Sequence, residues 1–326
     1  MKITVIGAGA WGTALAIILQ QNRNEVTLWG HHPGHVDAIR TGRENVRHLP
    51  GVRLPPELVV EPDLATSVAD AEGLVISIPS KAFRSVASKL SGFKGVVVST
   101  TKGLEFPEGK TMSEVLLETI SGAIPVALSG PSLAAEVARG IPTALVAASS
   151  VPTAAATVQT WFHRPTFRVY TSPDLPGVEF GGALKNVIAI AAGVCDGLGY
   201  GDNAKAALIT RGKAEMQRLG VACGGRPETF SGLSGLGDMT VTCFSRLSRN
   251  RTFGERIGRG ESVEAIFAST ISAVEGYPTA LSAFELGRRL GIPCPIITEV
   301  YLALYQGKSP RQAVVDLLNR DTKPED

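Results

Sequence analysis

Three glycines near the start of the chain restrict its fold more than any other feature of the sequence. The segment VIGAGAWGTALA places Gly7, Gly9 and Gly12 in Gly-x-Gly-x-x-Gly spacing, between a β-branched run and a run of small residues. In this spacing the first glycine permits a tight turn, the second lets the backbone approach a pyrophosphate, and the third allows close helix packing. A helix N-terminus at this point attracts the anion. The segment therefore predicts dinucleotide binding; a tight turn that binds nothing is the alternative.

The first half of the chain alternates short β-branched runs with helical stretches. Continuous apolar runs of this length are typical of a parallel sheet covered on both faces. Beyond residue 177 no comparable strand series follows, and the sequence is dense in Ala, Leu and Gly with helical periodicity. We therefore expect a parallel-sheet α/β domain over residues 1–176 and a helical domain over residues 177–326, with a linker at 171–177. The predicted strands are KITVIG, EVTLWG, GLVISIPS, GVVVSTT, IPVALSG, TALVAAS and TFRVYTS.

Composition and charge exclude several classes of function. The 326 residues are 44% hydrophobic and 19% charged, as in an ordinary globular protein of about two domains. A formal charge of +2 is too close to zero to favour nucleic acid or an anionic membrane as the main partner. Glycines interrupt the apolar N-terminal stretch and no segment has about 18 uninterrupted apolar residues, so we expect neither a signal peptide nor stable membrane insertion. Four scattered cysteines fit a cytoplasmic protein.

The end of the second predicted strand bears on the choice of dinucleotide. An Asp or Glu there would hold the ribose 2′-hydroxyl of NAD and repel the 2′-phosphate of NADP. The chain instead has Gly30, His31 and His32, so the sequence permits NADP as well as NAD. The same histidines, with His35, could be interpreted as a metal cluster, but no carboxylate or thiol completes a ligand spacing, and we expect no metal.

Polar loops follow three of the predicted strands, in ISIPSKAF, STTKG and SGPSLAAE. Ligands of a parallel sheet bind beyond the carboxyl ends of its strands. Lys102 in the second loop is a candidate for an anionic substrate, and an exposed loop lysine is the alternative. In the third loop Gly130 and Ser132 suggest a turn and a helix N-cap, which could bind an anion or only cap the helix.

Lys185 and Asn186 interrupt the apolar run FGGALKNVIAIAA. An unpaired buried ammonium costs several kcal/mol or loses its proton. All five histidines precede this run, so the second domain has no histidine acid or base. In a helix over residues 178–195, partial desolvation would lower the pKa of the lysine and make it a proton donor nearer neutral pH. The alternative is a lysine that extends to solvent from a helix rim. We expect the small side chains on the same helix face to leave room for a ligand. These residues are Gly181, Gly182, Ala189 and Ala192.

Downstream, GLSGLGDMTVTCFSRLSRNR contains one acid followed by a basic cluster. Asp238 could pair with Lys185, or only cap a helix. The SRNR string, before a predicted helix, could hold a phosphate through guanidinium groups and free N–H groups. A solvated basic face is the alternative interpretation. The cluster contains Arg246, Arg249, Asn250 and Arg251.

Taken together, the chain resembles the NAD(P)-dependent glycerol-3-phosphate dehydrogenases of the bacterial type. The resemblance covers almost the whole chain and implies a Rossmann-type domain, an all-helical C-terminal domain, and reversible reduction of dihydroxyacetone phosphate to sn-glycerol 3-phosphate for glycerophospholipid synthesis. It also implies a cytoplasmic enzyme, and apolar helices in the second domain favour a homodimer. The motifs that carry the resemblance are GAGAWGTALA, STTKGLE, LSGPSLAAEV, GGALKNVIAIAAG, GLSGLGDMTVTC, SRNR and VEGYPTA.

The resemblance also implies residue roles. Lys185 would exchange the proton, with Lys102 and Asp238 beside it as the other catalytic residues. The implied substrate contacts are Lys102, Gly130, Ser132, Lys185, Asn186, Asp238, Thr242, Ser248, Arg249 and Asn250. The implied cofactor contacts are Gly7, Gly9, Ala10, Trp11, Gly12, His31, His32, Lys102, Ala134, Arg249, Ala273 and Glu275. Where the family often has serine the chain has Ala10, so a side-chain hydrogen bond to phosphate is lost there.

Two alternatives remain open on the sequence. The first is a related dehydrogenase of a phosphorylated or acyl hydroxy acid, against which stand the absence of histidine after residue 163 and the SRNR and GGALKN strings. The second is a non-catalytic NADPH sensor, which would not need Lys102, Lys185 and Asp238. Turnover of dihydroxyacetone phosphate with NADPH separates these hypotheses.

Overall fold

The chain folds into two compact units. The computed structural model describes residues 1–270, 273–322 and Pro324. The first unit contains Met1–Lys102 and Lys110–Glu179, and the second contains Gly103–Gly109 and the residues from Phe180 onward. In place of the linker expected at residues 171–177, a strand continues to Ser172 and a helix begins at Leu175. The boundary between the units therefore falls inside that helix.

A single eight-stranded sheet forms the framework of the first unit, with the strand order β3-β2-β1-β4-β5-β6-β7-β8. The seven expected strands are present, and all neighbouring pairs are parallel except β6 and β7. A parallel pair needs a long crossover, whereas the only helix between β6 and β7 has five residues. The strands are β1 (Lys2–Ile6), β2 (Glu25–Trp29), β3 (Val59–Glu61), β4 (Gly73–Ile76), β5 (Lys94–Ser99), β6 (Gly122–Ser129), β7 (Thr143–Ala148) and β8 (Phe167–Ser172). Of these, β3 was not predicted, because its three-residue run VVE is too short to show a pattern.

Helices cover both faces of this sheet. In β1, Val5 belongs to the cluster on one face, with α1 and α7, and Ile6 to the cluster on the other, with α4 and α5. Burial on both faces explains why the strands are continuous apolar runs. The helices of the first unit are α1 (Ala10–Gln21), α2 (Pro33–Gly42), α3 (Leu64–Val68), α4 (Ser80–Ala87), α5 (Met112–Thr119), α6 (Ala134–Ala138) and α7 (Pro152–Phe162), with a 3₁₀ turn at Ser88–Leu90.

The described part of the second unit is helical, as expected. A 3₁₀ turn at Pro227–Ser231 and a π-helical turn at Leu233–Gly237 join two of its helices. The helices are α8 (Leu175–Gly197), α9 (Asp202–Ala222), α10 (Asp238–Phe244), α11 (Arg249–Gly258), α12 (Val263–Ala268), α13 (Gly276–Leu290), α14 (Pro295–Tyr305) and α15 (Pro310–Leu318).

Helix α8 is the central helix of the second unit. Its residues from Phe180 to Ile190 are all buried, and such burial on every side is typical of a core helix. By length and composition alone α8 could cross a membrane, but 83% of its most apolar window is buried inside the protein. One mostly buried helix of this kind is weak evidence for a membrane span.

Near its start, α8 carries a half-buried glutamate, Glu179. Its side chain accepts hydrogen bonds from the backbone N–H of Ser113 at 2.8 Å and from the Ser113 hydroxyl at 2.5 Å, at the start of α5. Removal from water raises the pKa of Glu179 to about 7, and the bonds from Ser113 only partly oppose this rise. The group is therefore close to half-protonated at neutral pH.

This burial makes the stability of the protein depend on pH. Because the pKa of Glu179 is higher in the folded state than its usual 4.5, the free energy of unfolding should fall as pH rises from 4.5 to about 7. We expect Glu179→Gln, which can satisfy the same two partners, to remove up to about 3 kcal/mol of this fall in urea titrations. Glu215→Gln gives a comparison, since burial raises the pKa of Glu215 to about 7 as well and its loss should also reduce the slope. That variant should in addition destabilise the fold, because the two carboxyl oxygens of Glu215 accept from the backbone N–H groups of Ile296 and Ile297. An unchanged pH slope in Glu179→Gln would contradict the assignment.

Candidate active site

The three glycines of the N-terminal motif have different surroundings. Gly7 has a φ of 124°, in the region that favours glycine, and a Cβ there would lie 2.3 Å from the carbonyl oxygen of Ser77. A Cβ on Gly12 would lie 1.9 Å from the carbonyl oxygen of Gly7. A Cβ on Gly9, in contrast, would have no described atom within 4 Å. Packing within the protein therefore requires Gly7 and Gly12, whereas Gly9 borders open space.

This open space fits a dinucleotide. Gly9 is the N-cap of α1, and no side chain among the described residues caps that helix, so its first-turn N–H groups point to the open side. The indole N–H of Trp11 is buried and has no hydrogen-bond partner among the described residues. A pyrophosphate at this helix start would accept from such donors. Ala10 is the first helical residue, where only its backbone can contribute.

One residue that holds this loop was missed on the sequence. The amide of Asn45, fully buried, donates to the carbonyl oxygen of Ala8 at 3.0 Å and to the hydroxyl of Thr13 at 2.8 Å. It therefore links the segment after α2 to the glycine loop. Asn45 lies in no recognisable motif and more than thirty residues along the chain from its partners, so the sequence gives no signal for it.

Basic side chains gather after β2. The rings of His31 and His32 have centroids 3.8 Å apart. Partial removal from water lowers the pKa of His31, and the positive charges of His32, His35 and Arg47 lower it further. A bound anion would relieve this repulsion. The cluster is therefore suited to the 2′-phosphate of NADP, and the carboxylate expected of a site strict for NAD does not occur at the end of β2.

Lys102, Gly130 and Ser132 come together beyond β5 and β6. The ammonium of Lys102 donates to the carbonyl oxygen of Gly130 at 2.8 Å and to the hydroxyl of Ser132 at 3.2 Å. Ser132 is not an N-cap as expected, because its hydroxyl donates to the Gly130 carbonyl oxygen at 2.9 Å. The N-cap of α6 is Leu133, which offers no side-chain acceptor, and Ala134 is the first residue of that helix. The three residues thus form a hydrogen-bonded group at the end of the sheet where ligands bind.

Lys185 lies on α8 with 6% of its surface exposed. Its Nζ atom donates to the Thr242 hydroxyl at 2.7 Å and lies 3.1 Å from Oδ1 of Asp238. Asp238 and Thr242 are four residues apart and therefore lie on the same face of α10. Asp238 is the first residue of α10 and not part of a loop, because the preceding glycine-rich segment forms a π-helical turn. The predicted pair of Lys185 and Asp238 is present, and Lys185 is buried, so it does not extend to solvent from a helix rim.

The small residues beside Lys185 were expected to leave room for a ligand, but in the structure they allow close packing of α8. A Cβ on Gly181 would lie 2.8 Å from the carbonyl oxygen of Ser234, in the π-helical turn. Ala189 and Ala192 are fully buried in the core of the second unit. Close packing of α8 therefore accounts for these small residues, and they do not by themselves indicate space for a ligand.

Asn186 and Asn250 form a buried amide bridge. The Asn250 side chain donates to Oδ1 of Asn186 at 2.8 Å, and its own Oδ1 accepts from the backbone N–H of Gly276 at 2.9 Å. The bridge links α8, the start of α11 and the start of α13. Ala273 and Glu275 lie just before α13.

Two arginines at the start of α11 have different surroundings. Ser248 caps the helix by accepting from the backbone N–H of Arg251 at 3.2 Å. Arg249 has an exposed surface, yet partial removal of its guanidinium group from water lowers its pKa, and the opposite charge of Glu275 partly offsets this. Arg251, predicted as part of a phosphate cradle, is instead buried and paired with Asp196 and Glu255. Arg249 is therefore the cation of the SRNR string that can reach a ligand.

The two units together define the class of protein. A glycine loop beside open space could hold a dinucleotide, and a buried ammonium next to a carboxylate could supply a proton in a unit that has no histidine. These are the requirements of a nicotinamide-dependent dehydrogenase.

Comparison with known proteins gives the family. Residues 2–155 match the family model of the NAD-dependent glycerol-3-phosphate dehydrogenase N-terminus, and residues 174–315 match that of the C-terminus. The chain is 47% identical to the glycerol-3-phosphate dehydrogenase [NAD(P)+] of Prosthecochloris aestuarii, covering all of both chains. It is 50% identical to that of Moorella thermoacetica, covering 98% of this chain and 96% of the other. A crystal structure of glycerol-3-phosphate dehydrogenase from Coxiella burnetii superimposes with a TM-score of 0.94 at 38% identity, covering 98% and 99% of the chains.

The chain therefore belongs to the NAD-dependent glycerol-3-phosphate dehydrogenase family, and it is an oxidoreductase that uses NAD or NADP. The resemblance seen in the sequence is confirmed, and so is its Rossmann-type sheet domain followed by a helical domain.

The different surroundings of the glycines lead to a test of the dinucleotide site. Gly9→Ala adds a methyl group to open space, so we expect the melting temperature to change little and the NADPH Kd to rise about tenfold or more. Gly12→Ala should lower the melting temperature, because its Cβ collides with a backbone carbonyl. Thermal unfolding and fluorescence titration measure both effects. Unchanged NADPH affinity in Gly9→Ala would show that the open space is not the pyrophosphate site.

Proposed function

We propose that the chain catalyses the reversible reduction of dihydroxyacetone phosphate to sn-glycerol 3-phosphate with NADPH or NADH. The observation that supports this proposal most directly is the buried contact of Lys185 with Asp238 at 3.1 Å. A ketone reduction needs a proton donor close to the developing alkoxide, and this ammonium, buried beside a carboxylate, is suited to that role.

The cofactor, when bound, supplies the hydride that attacks the ketone carbon. Lys185 gives its proton to the carbonyl oxygen as negative charge develops there. Asp238 and Thr242 hold the lysine in one position, so that little reorganisation is needed during the reaction. In the oxidation direction the neutral amine takes the proton back from the substrate hydroxyl.

The phosphate of the substrate is proposed to bind at the start of α11, to Arg249 and Ser248. Its binding energy would orient the ketone and so raise turnover as well as affinity. Asn186 and Asn250 are proposed to line the substrate while their side chains bridge the helices. Lys102, with Gly130 and Ser132, is proposed to neutralise negative charge on the substrate.

We assign dinucleotide binding mainly to residues 1–176, and the proton donor with most of the substrate contacts to residues 177–326. The backbone of the glycine loop would hold the pyrophosphate, and His31 and His32 the ribose end. The other proposed cofactor contacts are Ala10, Trp11, Lys102, Ala134, Arg249, Ala273 and Glu275. We further propose that the product supplies glycerophospholipid synthesis in the cytoplasm, as the resemblance implies.

We also propose a homodimer formed through the second unit. Apolar side chains are exposed on α15, where Leu318 is 78% exposed and Val315 is 44% exposed. Sedimentation equilibrium should give twice the chain mass of 34.2 kDa at micromolar concentration. A mass of one chain under these conditions would contradict the proposal.

Replacement of the proposed proton donor tests the function. Lys185→Met should lower kcat by about two to four orders of magnitude, because the proton transfer loses its donor, and NADPH binding should stay nearly intact. Lys213→Met is the matched control, since the Lys213 ammonium contacts Gln217 on the same helix. Steady-state kinetics with dihydroxyacetone phosphate and NADPH measure both variants. Near-normal turnover in Lys185→Met would refute the assignment, and absence of turnover in the unmodified protein would favour a sensor.

A further inference from the structure

Helices α8 and α11 contact each other backbone to backbone. Gly193 and Gly197 of α8 face Gly254 and Gly258 of α11. An added Cβ on Gly193, Gly197 or Gly254 would lie within 2.2 Å of a carbonyl oxygen of the facing helix. Side chains at these positions would force the helices apart. Only glycine at these positions allows α8 and α11 to lie this close together.

A buried ion pair fixes how α11 lies along α8. Arg251, whose side chain is 10% exposed, pairs with Asp196 of α8 at 2.6 Å and with Glu255 at 3.0 Å. Asp196 also pairs with Lys205, whose side chain is 8% exposed. Buried ion pairs add little net stability compared with apolar residues, because both charges lose their hydration. Buried ion pairs instead hold the two helices in one relative position, because a shift would separate the charges in the protein interior.

The residues fixed in this way flank Arg249. Asn250 is hydrogen-bonded to Asn186 at 2.8 Å, and Arg251 is paired with Asp196 on the same helix α8. The side chain of Arg249 is exposed, and Glu275 is the opposite charge that acts on it. The backbone of Arg249 is thus held by the two residues that follow it. The proton donor Lys185 lies on the helix to which those residues are anchored.

We propose that Arg251 and Asp196 are positioning residues that set the distance between the proton donor Lys185 and the phosphate-binding Arg249. This spacing selects substrates in which a ketone and a phosphate are joined by a short carbon chain. The proposal rests on the function proposed above. Phosphate binding raises the rate only while the ketone is aligned with the donor, and a misplacement of about 1 Å can cost about 100-fold in rate.

The test compares one variant on two substrates. Arg251→Met keeps an unbranched side chain and removes the charge that anchors α11. We expect its kcat with dihydroxyacetone phosphate to fall by about 10- to 100-fold, and kcat/KM with phosphate-free dihydroxyacetone to change less than about threefold. The inhibition constant of inorganic phosphate should stay within about twofold, because Arg249 remains. Arg256→Met is the matched control, since Arg256 lies on the same helix and pairs with Glu261; it should leave all three values unchanged.

Three results would overturn the proposal. Equal losses with both substrates and a lower melting temperature would show that Arg251 only supports the fold. If phosphate inhibition weakens by the same factor as kcat/KM with dihydroxyacetone phosphate, Arg251 contacts the substrate directly. Unchanged kinetics would show that the ion pair does not position Arg249. Failure of the proposed function is distinct, since the unmodified protein would then show no advantage of the phosphorylated ketone over the plain one.

Discussion

The structure depends on one buried contact, between the ammonium of Lys185 and the carboxylate of Asp238. Both groups lose nearly all of their hydration, which costs several kcal/mol for each ion unless the partners stay in place. The surrounding helices must therefore keep α8 and α10 in a fixed relation. Gly181, packed against the π-helical turn before α10, does so by allowing close approach of two backbones.

Glycine serves three different purposes in this protein. At Gly9 the missing side chain leaves space that a ligand can occupy, whereas at Gly12 it lets a helix approach a turn within the first unit. At Gly193 and Gly254 it lets two helices of the second unit touch along their backbones. A sequence motif reveals the first two because both lie in one local turn between a strand and a helix. The third depends on contacts between distant segments, and its spacing carries no such signal.

The sequence predicts the fold and the pairing of Lys185 with Asp238 because both leave local patterns. Continuous apolar runs mark buried strands, and a lysine in an apolar helix requires an acid nearby. It does not predict the reversal between β6 and β7, which depends on a connection too short to cross the sheet. Nor does it predict that Arg251 turns inward, because SRNR shows four cationic or polar side chains in a row and not which face of α11 packs on α8. Asn45 is missed for the same reason, since its partners are distant in sequence.

The proposed proton donor, Lys185, lies in the core of the second unit and not on a surface loop. A lysine on a mobile loop would keep its water and would have to reorganise before each transfer. On α8 the ammonium is already desolvated and held by Asp238 and Thr242, so that cost is met when the protein folds. An apolar residue at position 185 would pack in the same core without a partner. Lys185 and Asn186 therefore make α8 less stable than apolar residues at these positions would. In return, the helix holds the ammonium and the amide bridge in fixed positions.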